Sequence, residues 1–223
     1  MTRDIVIFDL DGTLIDSMGP LEALFCDMLA ERCAIDPSAS AAVYAEFLGA
    51  GPRVQFEAAL RRHGRLDTIS LDEITSAYWE DAESYEPEAF PETREVLKAL
   101  QAAHHTLLVS SGGTTASVKR KTRLAGIDGM VRLMLGTDEG VEHMAKGPGH
   151  FHLILQVLDL DEAAFQQRAV FVGDAAHDMR VGRAAGLPAI GRLTGDNGPA
   201  LRDAGATHLI SDLREIPALL MAL

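Results

Sequence analysis

Asp9 and Asp11 are the first residues in the chain whose placement asks for chemistry. They stand in DIVIFDLDGTLIDS, residues 4–17, where Ile5, Val6, Ile7, Phe8 and Leu10 make an apolar run that Asp9 interrupts and Asp11 follows. Such a run, ending in Asp-Gly, predicts a central parallel strand that is covered on both faces and stops at Gly12. Period-two geometry points both carboxylates to one side at the strand's carboxyl end, the edge at which open α/β sheets place their ligands. Two bare carboxylates about 4 Å apart repel by roughly 4 kcal/mol at an effective dielectric of about 20, so the pair needs a cation between its members or a proton on one of them. Asp-Gly is also an ordinary turn signal, which accounts for Asp11 but not for Asp9 inside the apolar run.

Three further places carry polar residues at predicted strand or helix ends. In LLVSSGGTT, Ser110 and Ser111 sit at a strand tip, followed by Gly112, Gly113 and a helix start. Glycines let a backbone approach a ligand closely and the free amides of a helix N-terminus favour an anion, so this loop reads as a phosphate seat; a plain capped strand-to-helix turn is the simpler alternative. In VFVGDAAHD, Gly173 permits a tight exit, and Asp174 and Asp178 lie one helical turn apart on a common face. Four acids at one sheet edge suit magnesium, which takes a few carboxylates, several waters and a substrate phosphate; Asp178 could instead cap its helix. Lys146, in MAKGPGH, is a surface cation in isolation, but beside four carboxylates it has the task of neutralising a nucleophile and a transferring phosphoryl group. His143, His150 and His152 suggest zinc at first sight, yet His150 and His152 point to different faces of a helix and are not expected to share a metal.

The elements that hold these residues alternate strand and helix except in one block. After the first strand come helical patterns at SMGPLEALFCDMLAERC, at about 41–48, 53–62 and 71–84, with no strand between them. An all-helical insertion of this kind sits apart from a sheet. From Pro91 the alternation resumes with a helix in PETREVLKALQAA, a strand at TLLVS, a helix from about Thr114 to Gly126 and a strand at VRLMLG. PGHFHLILQVL is then a helix, RAVFVGD a strand, HDMRVGRAAG a helix and residues 189–191 a short strand, with a helix near 199–204 before THLI and LREIPALLMAL. Five or six parallel strands with right-handed crossovers is the economical topology.

Composition bounds the partners. With 223 residues and a formal charge of −13, the chain lacks the clustered cations that a nucleic acid or an anionic membrane surface demands, so neither is an expected partner. Residues 1–10 fail as a secretory signal, and no segment approaches the roughly 18 apolar residues of a membrane span. Cys26 and Cys33, seven apart in one helical pattern, read as reduced thiols, and a cytoplasmic location follows.

Taken in order, Asp9-x-Asp11-Gly12-Thr13, Ser110 after an apolar strand, Lys146, and Gly173-Asp174-x-x-x-Asp178 resemble the haloacid dehalogenase superfamily, and specifically its phosphoglycolate-phosphatase-like branch. The resemblance spans nearly the whole chain. It implies an α/β fold, a Rossmann-like parallel-sheet core formed by residues 1–15 and 91–223, with an inserted all-α cap at 16–90. It also implies a Mg2+-dependent phosphatase acting on a small phosphorylated metabolite. In that scheme Asp9 attacks phosphorus and becomes an aspartyl-phosphate, and Asp11 protonates the leaving group and then activates water. The Asp9 carboxylate, the Asp11 backbone carbonyl and Asp174 hold the metal, with Asp178 direct or through water, while Ser110, Ser111, Gly112 and Lys146 form the phosphate-binding set. Two departures concern loop geometry and substrate choice: Lys146-Gly147-Pro148-Gly149 stands where Lys-Pro-x-Pro is frequent, and Ser111 where Asn is common.

Within the superfamily, dehalogenases lack the second acid, and phosphonatases use a cap lysine, of which residues 16–90 contain none. A hexose-phosphate mutase shares the chemistry, but mutases commonly carry Glu-Asp where this chain has Gly173-Asp174. A catalytically silent phosphate-binding protein would have lost Asp9, Asp11 or Asp174. Specificity is expected near FLGAGPRVQF, where Gly49 and Gly51 shape a loop and Arg53 is the candidate for a substrate carboxylate or second phosphate. A monomer or a homodimer is equally compatible with the sequence.

Overall fold

The computed structural model describes residues 3–48, 50–138 and 146–223. Gly49 and His143 therefore lie outside the described residues. Chain contacts divide the described residues into two compact units, one of residues 1–16 and 87–223 and the other of residues 17–86.

The larger unit is organised by β1 (Ile5–Phe8), β4 (Thr106–Ser110), β5 (Leu133–Leu135), β6 (Ala169–Gly173), β7 (Ala189–Arg192) and β8 (His208–Ile210). They form a six-stranded sheet in the order β5-β4-β1-β6-β7-β8. Every pairing in it is parallel. In β1 every side chain is buried, and the two faces of the strand feed different cores. Val6 and Phe8 join Val109, Val170 and Val172 on one side, while Ile5 and Ile7 join Leu108, Ala169 and Phe171 on the other. Burial on both faces is why the sequence shows an apolar run rather than alternation. α5 (Thr93–Ala102), α6 (Thr115–Leu124) and α11 (Ile216–Ala222) cover the first face, and α7 (Pro148–Leu158) with α8 (Glu162–Arg168) covers the second. α9 (Ala176–Ala184) and α10 (Gly198–Asp203) complete the unit.

β1 ends at Phe8, earlier than the Gly12 stop expected from the sequence. One further ladder bond, Asp9 N–H to the Val172 carbonyl at 2.8 Å, carries the pairing to Asp9. The chain then closes a tight turn in which Leu14 and Ile15 N–H both donate to the Leu10 carbonyl and Gly12 adopts φ 77°. That left-handed backbone is open to glycine at little cost, which accounts for the Asp-Gly pair. The turn leads into β2 (Ile15–Asp16), which pairs antiparallel with β3 (Glu88–Ala89). Strands of two residues carry no readable periodicity, and neither is visible in the sequence.

The smaller unit consists of α1 (Met18–Cys33), α2 (Pro37–Glu46), α3 (Pro52–Arg62) and α4 (Leu71–Ala82). Its core is aromatic: Phe25 stacks at tilted angles on Tyr44 and Phe56, with ring centroids 5.3 and 4.7 Å apart, and Phe56 meets Tyr78 edge-on at 5.5 Å. The Tyr78 hydroxyl donates to the Leu21 carbonyl at 3.3 Å, so the one polar atom of that ring is satisfied inside the core. Cys26 and Cys33 are buried free thiols in the same core. Ser70 and Asp36 cap α4 and α2 through their side chains, and Pro opens α2 and α3, the local signals that start helices.

Candidate functional site

Four acids converge where β1 and β6 end. Asp9, Asp174 and Asp178 are each buried, and one carboxylate oxygen of each lies within 4.8 Å of the others. Lys146 Nζ stands between two of them, 2.8 Å from Asp9 Oδ1 and 2.6 Å from Asp178 Oδ1. Asp178 is held on its other oxygen by the Ala175 N–H at 3.0 Å, so it both opens α9 and anchors the lysine. Gly173 makes that arrangement possible, since a Cβ there would fall 2.3 Å from Asp178 Oδ2 and 2.5 Å from its Cβ. Asp174 leaves β6 with its carboxylate accepting from Thr13 Oγ1 at 3.1 Å and its backbone carbonyl accepting from Asn197 Nδ2 at 2.8 Å.

Asp11 lies just beyond this cluster and has a lysine of its own, Lys121 of α6, with Nζ 2.7 Å from Oδ1. The two aspartates of the first motif are thus separated electrostatically, each paired to a different buried ammonium. Four carboxylates facing two lysines leave two negative charges.

That imbalance is written in the proton affinities. Burial drives the Asp9 carboxyl up to about 7, against the pull of Lys146. Burial, followed by the charges of Asp9 and Asp178, holds Asp174 well above the usual carboxylate range. Burial alone would lower Lys146, but Asp178 and Asp9 outweigh it and raise the ammonium above its ordinary value. The Oδ2 atom of Asp174 is buried with no hydrogen-bond partner among the described residues. A buried carboxylate oxygen left without a donor, in an all-oxygen cluster with an excess of two negative charges, fits a hard divalent cation such as Mg2+. Asp9 and Asp174 offer open oxygens to such an ion, whereas both oxygens of Asp178 are already engaged, by Lys146 and by the Ala175 amide.

The loop after β4 supplies the next residues. Ser110 and Ser111 are buried and Gly112 is half-buried beside them. Ser111 N–H donates to the Leu135 carbonyl at 3.0 Å, and its Oγ accepts from the Gly113 amide at 3.1 Å. Two first-turn amides of α6 are engaged within the chain: Thr115 N–H donates to Asp138 Oδ1 and Ser117 N–H to Thr114 Oγ1. Ser110 Oγ lies 2.7 Å from His150 Nδ1, and His150 Nε2 lies 3.0 Å from the Gly136 carbonyl. Thr137 Oγ1 accepts the Lys146 amide at 3.2 Å, which fixes the start of α7 against the end of β5.

His150, Lys121, Thr13 and Asn197 were not assigned roles from the sequence. The signal for the first two was present in the helical spacing. His150 shares the buried face of α7 with Ile154, and Lys121 shares that of α6 with Ser117, Val118 and Thr122. A polar residue on a core-facing stripe marks a buried partner. His152, on another face of α7, meets Gln156 among the described residues, and the two histidines do not share a site there. Arg53 pairs with Asp72 at 2.6 Å within the helical unit.

The family model of the haloacid dehalogenase-like hydrolases matches residues 3–186. The chain belongs to that family. A phosphoglycolate phosphatase of Yersinia pestis is 30% identical over 196 residues, covering 86% of this chain and 82% of its own. Among solved structures, a haloacid dehalogenase-like hydrolase of Streptococcus pneumoniae superposes with a TM-score of 0.78 at 20% identity, covering 97% of each chain. A Thermotoga maritima protein assigned as a beta-phosphoglucomutase superposes with a TM-score of 0.67 at 19% identity over 99% of both chains. This haloacid dehalogenase-like chain is a phosphoglycolate-phosphatase-like member and a phosphoric monoester hydrolase. None of its described helices is long and apolar enough to cross a membrane.

Proposed function

We propose that the chain hydrolyses a small phosphorylated metabolite of the phosphoglycolate type, with Mg2+, through a phosphoryl group carried on Asp9. The observation that supports this most is the placement of Asp9: it is buried at the carboxyl end of the central strand, its Oδ1 is 2.8 Å from Lys146 Nζ, and its neighbours are two further carboxylates. A carboxylate in that setting is a directed nucleophile, because the ammonium fixes one oxygen and leaves the other to attack. Lys146 neutralises the nucleophile and then the phosphoryl oxygens, and Asp178 keeps the lysine in place. Asp11, with Lys121 at 2.7 Å, is the general acid and base: it protonates the departing alkoxide and later takes the proton of the water that releases phosphate. Ser110, Ser111 and Gly112 line the phosphoryl seat.

The metal is proposed to rest on the Asp9 and Asp174 carboxylates and the Asp11 backbone carbonyl, with Asp178 behind Lys146. When bound it screens the phosphoryl oxygens from the carboxylates and stabilises the charge that develops on them. The inserted residues 16–90 are proposed as a cap. Arg53 is its candidate for a substrate carboxylate, a role in which the guanidinium exchanges Asp72 for the ligand.

The test is phosphate release over a panel of phosphorylated metabolites, with Mg2+ and with excess chelator. The expected result is metal-dependent turnover with small carboxylated or sugar phosphates preferred. Turnover that needs added glucose 1,6-bisphosphate would favour the mutase reading, for which the Thermotoga neighbour is a likeness of fold.

A further inference from the structure

Asp174 has one carboxylate oxygen, Oδ2, that is buried without a partner among the described residues, while its Oδ1 and its backbone carbonyl are both held. The groups that hold them form a closed ring drawn from the ends of three strands. Thr13, in the turn after β1, donates its hydroxyl to Asp174 Oδ1 at 3.1 Å, and its carbonyl accepts from Arg192 Nη1 at 2.7 Å. Arg192, at the end of β7, offers its own carbonyl to Asn197 Nδ2 at 3.0 Å, and the same amide nitrogen donates to the Asp174 carbonyl at 2.8 Å.

Asn197 is the member whose chemistry the ring dictates. The two carbonyls it faces can only accept, so the atom turned to them is the amide nitrogen with its two hydrogens, and Thr194 Oγ1 lies 3.0 Å from that nitrogen as well. Oδ1 is left to accept from the Thr194 N–H at 3.0 Å. An aspartate would set an acceptor against those carbonyls, and a serine hydroxyl has one hydrogen for the two of them. Asn197 also immediately precedes α10, yet its side chain makes no capping bond to that helix and is spent on the end of β6 instead.

We infer that Asn197 is a positioning residue for the metal-binding carboxylate: tying the Asp174 carbonyl to the end of β7 fixes the direction of Oδ2 before a cation arrives. A ligand oxygen that is already aimed loses little freedom on binding, and outer bonds of this kind govern metal affinity by about ten- to a hundredfold. When Asn197 is changed, Asp174 keeps its Thr13 bond, so the carboxylate is loosened rather than removed. Asp9 and Asp11 keep their own lysines.

This role rests on the proposed metal site, and the experiment separates the two. Mg2+ is titrated calorimetrically into the substrate-free protein, and phosphate release from an aryl phosphate is followed at saturating Mg2+. In Asn197→Ala the Mg2+ dissociation constant is expected to rise about tenfold or more, with KM at saturating Mg2+ close to that of the native chain. Thr194→Val alters the same loop and spares the bond to Asp174, so it is expected to bind Mg2+ as the native chain does. Native Mg2+ affinity in folded Asn197→Ala, or an equal loss in Thr194→Val, would overturn the positioning role and leave the metal site standing. A native protein that takes up no Mg2+ would overturn the site, and this role with it. Asn197→Leu keeps the side-chain volume without the amide, so the test survives if the alanine variant does not fold.

Discussion

At the scale of single residues, the site depends on atoms that have no room to be anything else. Gly173 is the sharpest case: alanine there would drive a methyl group into the Asp178 carboxylate and Cβ, so Asp178 must move and Lys146 loses its anchor. Gly173→Ala is expected to cost about 1 to 3 kcal/mol of stability and to reduce kcat far more than a surface Gly→Ala change, measured by denaturant unfolding and steady-state kinetics. Lys121 is a second case. It is buried and its ammonium holds Asp11, so Lys121→Met is expected to lower kcat by about a hundredfold with little change in KM, as fits loss of acid–base positioning rather than of binding. A parallel rise in KM alone would place Lys121 on the ligand instead. Asp9, Asp11, Ser110 and Asp174 were visible in the sequence because each interrupts an apolar run or follows one, Asp178 by its one-turn spacing from Asp174, and Lys146 as a cation among four carboxylates. Lys121 and the partner of His150 were missed: each lies on the apolar stripe of its helix, where a polar residue signals a buried partner, but the spacing does not say which partner until the helix is docked.

At the scale of elements, the strand ends are held by a buried ion pair that uses no catalytic group. Arg192, last residue of β7, donates to the Thr13 carbonyl at 2.7 Å and to Glu92 Oε1 at 2.7 Å, and its guanidinium carbon lies 3.8 Å over the Phe90 ring. It thereby fixes the turn after β1, whose Thr13 hydroxyl orients Asp174, together with the segment that re-enters the sheet after β3. Removing one partner strands a buried charge. Arg192→Met is expected to destabilise by about 3 to 5 kcal/mol, and Arg192→Met with Glu92→Met to recover much of that, which equilibrium unfolding of the single and double variants would report. Recovery of none of it would mean that the Thr13 contact, not the pair, carries the effect. The six-stranded sheet and its helices were legible in apolar runs and helical spacing. The β2–β3 pair and the short helix α8 were not, since two-residue strands have no period and a seven-residue helix has barely two turns to show one, whereas α7 ends at Leu158 as expected, with Asp159 at φ 52° closing it.

At the scale of the whole molecule, the excess of negative charge in the site ties stability to pH and to metal. Asp9 titrates near 7 in the folded chain against an ordinary carboxylate value in the unfolded one, and Asp174 is displaced in the same direction. The folded state therefore binds more protons than the unfolded state between about pH 4 and 7, so the metal-free protein loses stability as pH rises through that window. A divalent ion replaces those protons. The melting temperature of chelator-treated protein is expected to fall from pH 5 to pH 8, and the rise on adding Mg2+ to be larger at pH 8 than at pH 5. Equal Mg2+ shifts at both pH values would place the ion away from these carboxylates.

The central claim is that Asp9 carries the phosphoryl group, and the most direct measurement is acid quenching of the Mg2+-loaded enzyme during turnover of a radiolabelled phosphomonoester, followed by peptide mapping. The account predicts label on the peptide containing Asp9, none in Asp9→Asn, and phosphate release by that variant at least about a thousandfold slower. Undiminished phosphate release by Asp9→Asn, with no label on that peptide in the native enzyme, would contradict it.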